Sequence, residues 1–440
     1  MKAIMRDKAE LKDSGIEWIG LYPVSWDMYP ANGVFSEIRN KNTSLEYTNQ
    51  FSFRYGEIVD KHVQGELDDK LKDTISAYNI VQPDTIMING LNLNYDFISQ
   101  RVAIVREPGI ITSAYLALYP NKERINPRFA VYLFKAYDYQ QVFHGMGSGI
   151  RKTLSFQNFK NIFIVAPQLG QQEAIANYLD DNCSKIDAII AEAKASIEEY
   201  KELKQAVIYE AVTKGLDKNV EMKDSGIEWI GKMPKNWSTV RFSKVNWIRA
   251  RLGWKGLKAD EYVDEGYPFL SAFNIQNNKL IWENINHITI ERYEESPEIK
   301  LQEKDILLVK DGAGIGKCAR IDNLPLGEST VNSSLAVITS NKLMNYKYEY
   351  FYLLSPIFQN VITRLKNGMG VPHLTQEAMK EIVIPCPPIE EQTIIADYLD
   401  DKMSKIDLVI STKQSLIEDL ESYKKSIIYE VVTGKRKVVE

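Results

Sequence analysis

The feature that most constrains this chain is that it contains itself twice. Leu11-Lys-Asp-Ser-Gly-Ile-Glu-Trp-Ile-Gly20 returns as Met222-Lys-Asp-Ser-Gly-Ile-Glu-Trp-Ile-Gly231, identical at nine of ten positions with an offset of 211, and Pro23 and Trp26 return as Pro234 and Trp237. A second block, Gln171 to Lys214, recurs at Glu391 to Gly434 with an offset of 220 and 20 matches in 44 positions. Between the blocks, residues 27–166 and 238–386 differ in length by nine and share only scattered positions. A repeat of this length is the signature of a duplicated architecture. The order is tag, variable region, helix block, and then the same again. Two readings follow: a duplicated scaffold whose variable parts have no special role, or one frame carrying two different readers.

The repeated blocks are helical. Gln171 to Lys214 holds no Pro or Gly and is rich in Ala, Glu, Lys, Ile and Leu, all compatible with helix. Ile175, Leu179, Ile186, Ile189/Ile190, Ala193, Ile197, Tyr200, Leu203 and Val207 fall at spacings of three, four and seven, and Ile395, Leu399, Ile406, Val409/Ile410, Leu416/Ile417, Leu420, Tyr423 and Ile427 repeat the seam. Pro167 and Pro387-Pro388 precede the starts, and Gly215 and Gly434 stand where stops belong. Asp180-Asp-Asn182 and Asp400-Asp-Lys402 are expected to break or bend each helix early. A single rod with one apolar stripe cannot bury that stripe alone. The two copies are natural antiparallel partners, a homodimerising coiled coil being the other solution.

The fold class expected is α+β: two α/β domains in a pseudo-two-fold arrangement, separated by two long helices forming an antiparallel coiled coil. The boundaries are 1–166 for the first domain, 167–215 for the first helix, 216–386 for the second domain and 387–440 for the second helix. Within the domains Thr85–Asn89, Val102–Val105, Ile306–Val309 and Leu335–Ile338 read as strands, and Arg128–Phe143 and Tyr348–Leu365 as helices.

Length and composition set the class. At 440 residues the chain exceeds one ordinary core, and 44% apolar with 26% charged residues is ordinary for a folded protein. No stretch approaches a membrane span and Met1 to Glu10 is too charged for a signal peptide, so a cytoplasmic location is expected. Cys183, Cys318 and Cys386 are far apart, as are the four histidines. No spacing suits zinc or a disulfide framework.

Net charge is −5, but a global sum hides local patches, and a duplex meets only one face. Arg241 to Lys258 carries Arg241, Lys244, Arg249, Arg251, Lys255 and Lys258 with no acidic residue, interleaved with Phe242, Trp247 and Trp254. Cations neutralise phosphates, and arginine also pairs with guanine edges; the alternative is a solvated surface. Two loops resemble each other, Gly145-Met-Gly-Ser-Gly-Ile-Arg-Lys152 and Arg364-Leu-Lys-Asn-Gly-Met-Gly-Val-Pro-His373. Their glycines permit close backbone approach beside Arg151, Lys152, Arg364, Lys366 and His373, unless they are plain turns. Residues 11–150 hold 13 basic and 16 acidic residues, so charge does not place a DNA face in the first domain.

Two motifs imitate catalysis. Asp311-Gly-Ala-Gly-Ile-Gly-Lys-Cys318 is one residue short of a P-loop and has Cys318 where Ser or Thr would hold magnesium. It reads as a tight turn after a strand. Asn126-Pro-Arg-Phe129 is similar to the N-P-P-[YF] motif of adenine methyltransferases but lacks the second Pro, and it stands where Pro opens a helix.

The tag Ser-Gly-Ile-Glu-Trp-Ile-Gly-x-x-Pro-x-x-Trp at 14–26 and 225–237, the Pro-Pro-Ile-Glu-Glu-Gln stretch at 387–392, the repeated Ser-Lys-Ile-Asp and the closing Val-Val-Thr-Gly resemble those of type I restriction–modification specificity subunits. Pro108 to Tyr115 and Lys304 to Leu308 resemble strands of their recognition domains. The first copy departs at Pro167-Gln-Leu-Gly170. The resemblance implies that each variable region is a target recognition domain reading one half of a bipartite, asymmetric site in double-stranded DNA, with the helices as the ruler. It implies two modification subunits that carry S-adenosylmethionine and flip the target adenine, and restriction subunits that use ATP and magnesium, with neither cofactor on this chain. Alternatives are a non-catalytic coiled-coil scaffold that binds only protein, and a self-contained methyltransferase or nucleotide hydrolase.

Overall fold

A computed structural model describes residues 1–61, 68–98, 100–150, 152–251, 257, 259–365 and 373–439. Two helices dominate, Leu169–Lys214 of 46 residues and Ile389–Val432 of 44, each a rod of roughly 70 Å at 1.5 Å per residue. Each begins just after its proline. The residue after the first, Gly215, and Gly434 past the second have φ of 74° and 75°, the left-handed stop that glycine adopts without strain.

Both helices run uninterrupted through the acidic triplets. The expected break is absent because every polar group has a partner. Asp180 accepts from Arg128 Nη1 at 2.6 Å and from Tyr132 Oη at 2.8 Å, Asp181 pairs with Lys185 one turn on, and Asn182 Nδ2 donates to the Tyr178 carbonyl. In the second copy Asp400 takes Arg320 and Lys347, and Asp401 takes Lys405. The triplets are anchors for the domain that packs there.

The chain forms two compact units, residues 1–193 with 414–440, and residues 194–413. Each unit therefore owns part of both long helices. In the first, Ile175 and Leu179 join Ile427, Ile428, Val431 and Val432 in one core, and Asp187 pairs with Lys424 at 2.6 Å. In the second, Ile208, Ala211 and Val212 join Ile395 and Leu399, and Lys204 pairs with Asp407 at 2.6 Å. At the offset of 220 these are the same two positions with the helices exchanged.

Each unit is built on a four-stranded antiparallel sheet. In the first, the order is Val102–Ile104, Ile86–Ile88, Leu116–Pro120, Phe35–Glu37; in the second it is Cys318–Arg320, Asp305–Val309, Leu335–Ser340, Asn246–Arg249. Register matches as well as order. Ile86 faces Leu118 and Ile306 faces Ile338; Leu118 faces Glu37 and Ile338 faces Ile248. Every one of these positions corresponds at the repeat offsets, although few residues are shared. The expected strands are present, within a residue or two. The expected helices are each two: Pro127–Tyr139 and Val142–Met146 divide at Gln141 (φ 58°), and Tyr346–Leu354 and Pro356–Leu365 divide at the Ser355–Pro356 step, where proline cannot continue the preceding hydrogen bonds.

The tags are hairpins, Leu11–Asp13 with Leu21–Pro23 and Met222–Asp224 with Lys232–Pro234. Gly15, Gly20, Gly226 and Gly231 all have φ between 63° and 71°, the conformation that makes glycine necessary at those turns. Trp26 packs on Gly434 in the first unit and Trp237 on Gly215 in the second, so each tag seals a helix end. The strand Lys2–Met5 pairs with Arg436–Val439.

Candidate nucleic-acid interface

The basic segment divides once it is folded. Arg249 ends the edge strand Asn246–Arg249 and is buried: its side chain is 4% exposed and Asp305, at 2.7 Å, is 0% exposed. Its guanidinium also donates to the Glu298 and Lys300 carbonyls and to Thr339 Oγ1, and it lies 4.5 Å over the Trp247 ring. The Arg251 side chain is equally buried, 3.7 Å from Glu295. The expectation that Arg249 and Arg251 touch DNA is therefore corrected. Both charges are committed to carboxylates from other elements, and desolvated cations need such partners. Arg241 and Lys244 do reach the surface; Arg241 lies 3.4 Å from Glu381, both well exposed, and such pairs are weak and exchangeable. Lys255 and Lys258 lie outside the described residues.

The described ends of the two glycine loops have a common seat; residues 366–372 of the second lie outside the described residues. In the first unit the connection between Ile86–Ile88 and Val102–Ile104 projects from the sheet, and the loop ahead of Leu154 docks on it. Leu154 N donates to the Gly90 carbonyl, Leu93 N to the Lys152 carbonyl and Asn94 Nδ2 to the Ile150 carbonyl. The contact needs glycine: a Cβ on Gly90 would stand 2.6 Å from Leu154 Cβ, and one on Gly147 would stand 2.8 Å from Leu93 Cδ1. In the second unit Leu374 N donates to the Lys310 carbonyl at the equivalent position, and Asp311 bridges to His373, whose Nδ1 contacts the Asp311 carboxylate. The Asp311–Cys318 motif is the connection of the hairpin Asp305–Val309/Cys318–Arg320, as the turn reading expects. Likewise Asn126 caps its helix by accepting from Arg128 N and Phe129 N.

Buried polar groups hold the first loop in shape. Arg101 is 0% exposed and donates to the carbonyls of Asn89, Leu91 and Asp96, while its backbone N–H donates to Asp138 Oδ2 at 2.8 Å. Burial raises the Asp138 carboxyl to about 6, against the pull of the Arg101 backbone and charge. On this framework stand Tyr95, Phe97, Ile98 and Ile150, all exposed, with Phe97 stacked on His144 at 5.0 Å and 15°. Lys152 lies on the same loop pair and is exposed. Arg364, at the end of its helix, is exposed and 3.3 Å from Glu228. Arg151 and Lys366 lie outside the described residues. Charge counting missed Tyr95, Phe97 and Ile98; the signal available was two aromatic residues in a turn-rich run of asparagines.

Comparison with known proteins joins these observations. Residues 234–419 match the family model described as the type I restriction modification DNA specificity domain. Over 94% of both chains, the sequence is 23% identical to the type I restriction enzyme MjaVIII specificity subunit of Methanocaldococcus jannaschii, and over 96% of both it is 25% identical to the putative MjaX specificity subunit of that organism. The type I restriction enzyme EcoKI specificity subunit of Escherichia coli is 25% identical over 47% of this chain and 44% of its own length. Among solved structures, a chain from a type I R-M system superposes with a TM-score of 0.71 at 16% identity, covering 94% of this chain and 99% of that one. The HsdS subunit of Thermoanaerobacter tengcongensis gives 0.55 at 16% identity over 94% and 98%. The resemblance carried by the tags thus extends to the fold of the chain.

Proposed function

We infer that this chain belongs to the type I restriction–modification specificity subunits and is the part of such a complex that reads DNA sequence. The observation that carries the reading is the same sheet and hairpin built twice, at matched register, from dissimilar sequences on one pair of long helices. A frame held constant while its loops vary is what two different half-sites require. Half-sites gripped by a fixed frame lie at a set distance along the duplex.

The reading surface we assign is the loop pair of each unit, with Lys152 in the first and Arg364 and His373 in the second, together with Arg241 and Lys244. Arg151, Lys255, Lys258 and Lys366 belong to the same assignment. Phosphate contacts from these cations position the protein, and sequence is read by groups reaching base edges. In the first unit those groups are aromatic and aliphatic, which suits thymine methyls and accords with the acidic balance there.

The partners are double-stranded DNA, two modification subunits and the restriction subunits. S-adenosylmethionine belongs to the modification subunits and ATP with magnesium to the restriction subunits; this chain contributes recognition and assembly and carries out no reaction itself. The complex works in the cytoplasm. No described helix is long and apolar enough to cross a membrane.

The test is methylation mapping of DNA from cells expressing this chain with its modification subunit. A split motif with a constant unread gap is expected. A contiguous motif, or methylation without sequence preference, overturns the reading.

A further inference from the structure

The matched hairpins of the two units carry a cation at the same place and use it differently. Val102 stands opposite Ile88 and Cys318 opposite Leu308, and Ile88 and Leu308 are each two residues past the matched Ile86 and Ile306. Arg101 and Lys317, one residue ahead of Val102 and Cys318, are therefore equivalent. Arg101 closes the long connection 89–101 and is 0% exposed, spent on the Asn89, Leu91 and Asp96 carbonyls of that same connection. In the second unit the connection is the shorter Lys310–Lys317. It leaves nothing for such a cation to brace, and Lys317 is exposed with no side-chain partner among the described residues.

The turn that Lys317 closes is held from inside and bare at its crest. Ile315 is 6% exposed and belongs to the core of the unit, and Gln359 Nε2 donates to the Gly316 carbonyl at 2.9 Å. Gly312 and Gly316 have φ of 81° and 91°, so the reversal depends on glycine. Between them Ala313 is exposed and Gly312 and Gly314 are partly so. The N–H groups of these three residues have no acceptor among the described residues. A Cβ on Gly312 would meet nothing within 4 Å, while one on Gly314 would stand 3.6 Å from Lys317 Cδ and 3.9 Å from its Cε. The lysine stem thus lies alongside Gly314, and its ammonium is held next to the row of amides. The acid nearest in sequence, Asp311, is paired with Lys310 at 2.6 Å and bonded to His373. The segment from Arg364 to His373 adds no Asp or Glu. Successive exposed amides beside an ammonium form an anion seat.

We propose that the Gly312–Gly314 amides and Lys317 seat a phosphate of the DNA backbone. The second unit then holds its half-site by the backbone at the place where the first unit presents Tyr95, Phe97 and Ile98. That the anion belongs to DNA rests on the function proposed above. The shape agrees with it, because the amides stand on an exposed crest, which suits one phosphate of a strand passing over. A nucleotide would need the longer turn of a P-loop and a hydroxyl for its magnesium, and here the residue after the lysine is Cys318, 0% exposed within a strand. A contact of this kind fixes register without reading sequence.

The test measures DNA affinity across a salt series for the full chain with its modification subunits. One duplex carries the split site found by methylation mapping, and a second carries the same bases scrambled. Lys317→Ala lowers the slope of log affinity against log salt by about 0.9 on the split-site duplex, and Lys317→Arg restores it. The methylated motif keeps its bases in both variants, and thermal unfolding matches the parent because the side chain is exposed. Ile98→Ala weakens binding with the slope unchanged. An unchanged slope in Lys317→Ala, an equal loss of slope in Ile98→Ala, or an altered motif in Lys317→Ala overturns the proposal. So does ATP retained by the parent chain and lost with Lys317→Ala, which assigns the turn to a nucleotide. A parent complex that binds the two duplexes alike refutes the recognition function. One that discriminates between them, while Lys317→Ala keeps the full slope, refutes the phosphate seat alone.

Discussion

Replacing Arg249 with Ala distinguishes a structural arginine from a DNA-reading one. The substitution removes three kinds of bond at once, to two carbonyls, to Thr339 and to Asp305. What it leaves behind decides the magnitude. Asp305 is completely buried and keeps only the Gln302 N–H at 2.9 Å and the Thr339 hydroxyl as donors. An uncompensated carboxylate of this kind costs about 3–5 kcal/mol. For a unit of about 200 residues at about 2–4 °C per kcal/mol, the unfolding midpoint falls by roughly 10 °C. Thermal unfolding followed by intrinsic fluorescence measures it, Trp247 lying against the guanidinium as a local reporter. Arg249→Met with Asp305→Leu removes both charges together and recovers most of the loss. DNA affinity, measured on folded protein across a salt series, keeps its slope. The reasoning is refuted if Arg249→Ala unfolds like the parent but binds DNA with a shallower salt dependence, because the arginine would then be meeting phosphate.

Lys244→Ala is the converse: stability changes by less than about 0.5 kcal/mol, while the slope of log affinity against log salt falls by about 0.9; an unchanged slope removes Lys244 from the interface. Glu349 is buried against Asn246 and Ser340, and burial raises its carboxyl to about 7. A folded-state value above the ordinary 4.5 means that its stabilising contribution is full below pH 4.5 and is lost as pH rises through 7. Glu349→Gln, which cannot ionise, therefore gains on the parent over that window, with a ceiling of about 3 kcal/mol; parallel stability curves from pH 5 to 8.5 would contradict the assignment. Gly434→Ala places a Cβ 2.4 Å from Pro23 Cγ at a φ of 75°. A loss of about 2 kcal/mol or more is expected from thermal unfolding, and a neutral result shows that the tag does not seal the helix end.

Some of this molecule was open to reading in one dimension. The tags, the helix blocks, their prolines before and glycines after, and the capping role of Asn126 all follow from local rules, and local rules are written in adjacent residues. The acidic triplets misled because a helix tolerates Asp180 when Arg128 and Tyr132, some fifty positions earlier, satisfy it. Arg249 misled for a related reason. The absence of Asp or Glu between 241 and 258 says nothing about Asp305, and a buried arginine takes its partner from wherever the sheet brings one. The matched register of the two sheets was invisible because pairing is fixed by alternation and turn geometry rather than by identity. Tyr95 and Phe97 are exposed but carry no charge, and local charge points to cations while passing over uncharged aromatic rings.

The sharing of both helices between the units sets the order of events during synthesis. Residues 194–413 are a contiguous stretch, so everything the second unit needs has left the ribosome once Lys413 has. The first unit emerges earlier but lacks Ile427, Ile428, Val431 and Val432 from its core until the final turns of the second helix follow. At translation rates of about 5–20 residues per second, its half-finished apolar seam waits for something like ten seconds or more. The earlier-born half is thus the later to mature, and that interval is when a chaperone or a neighbouring nascent chain has its chance at Ile175 and Leu179.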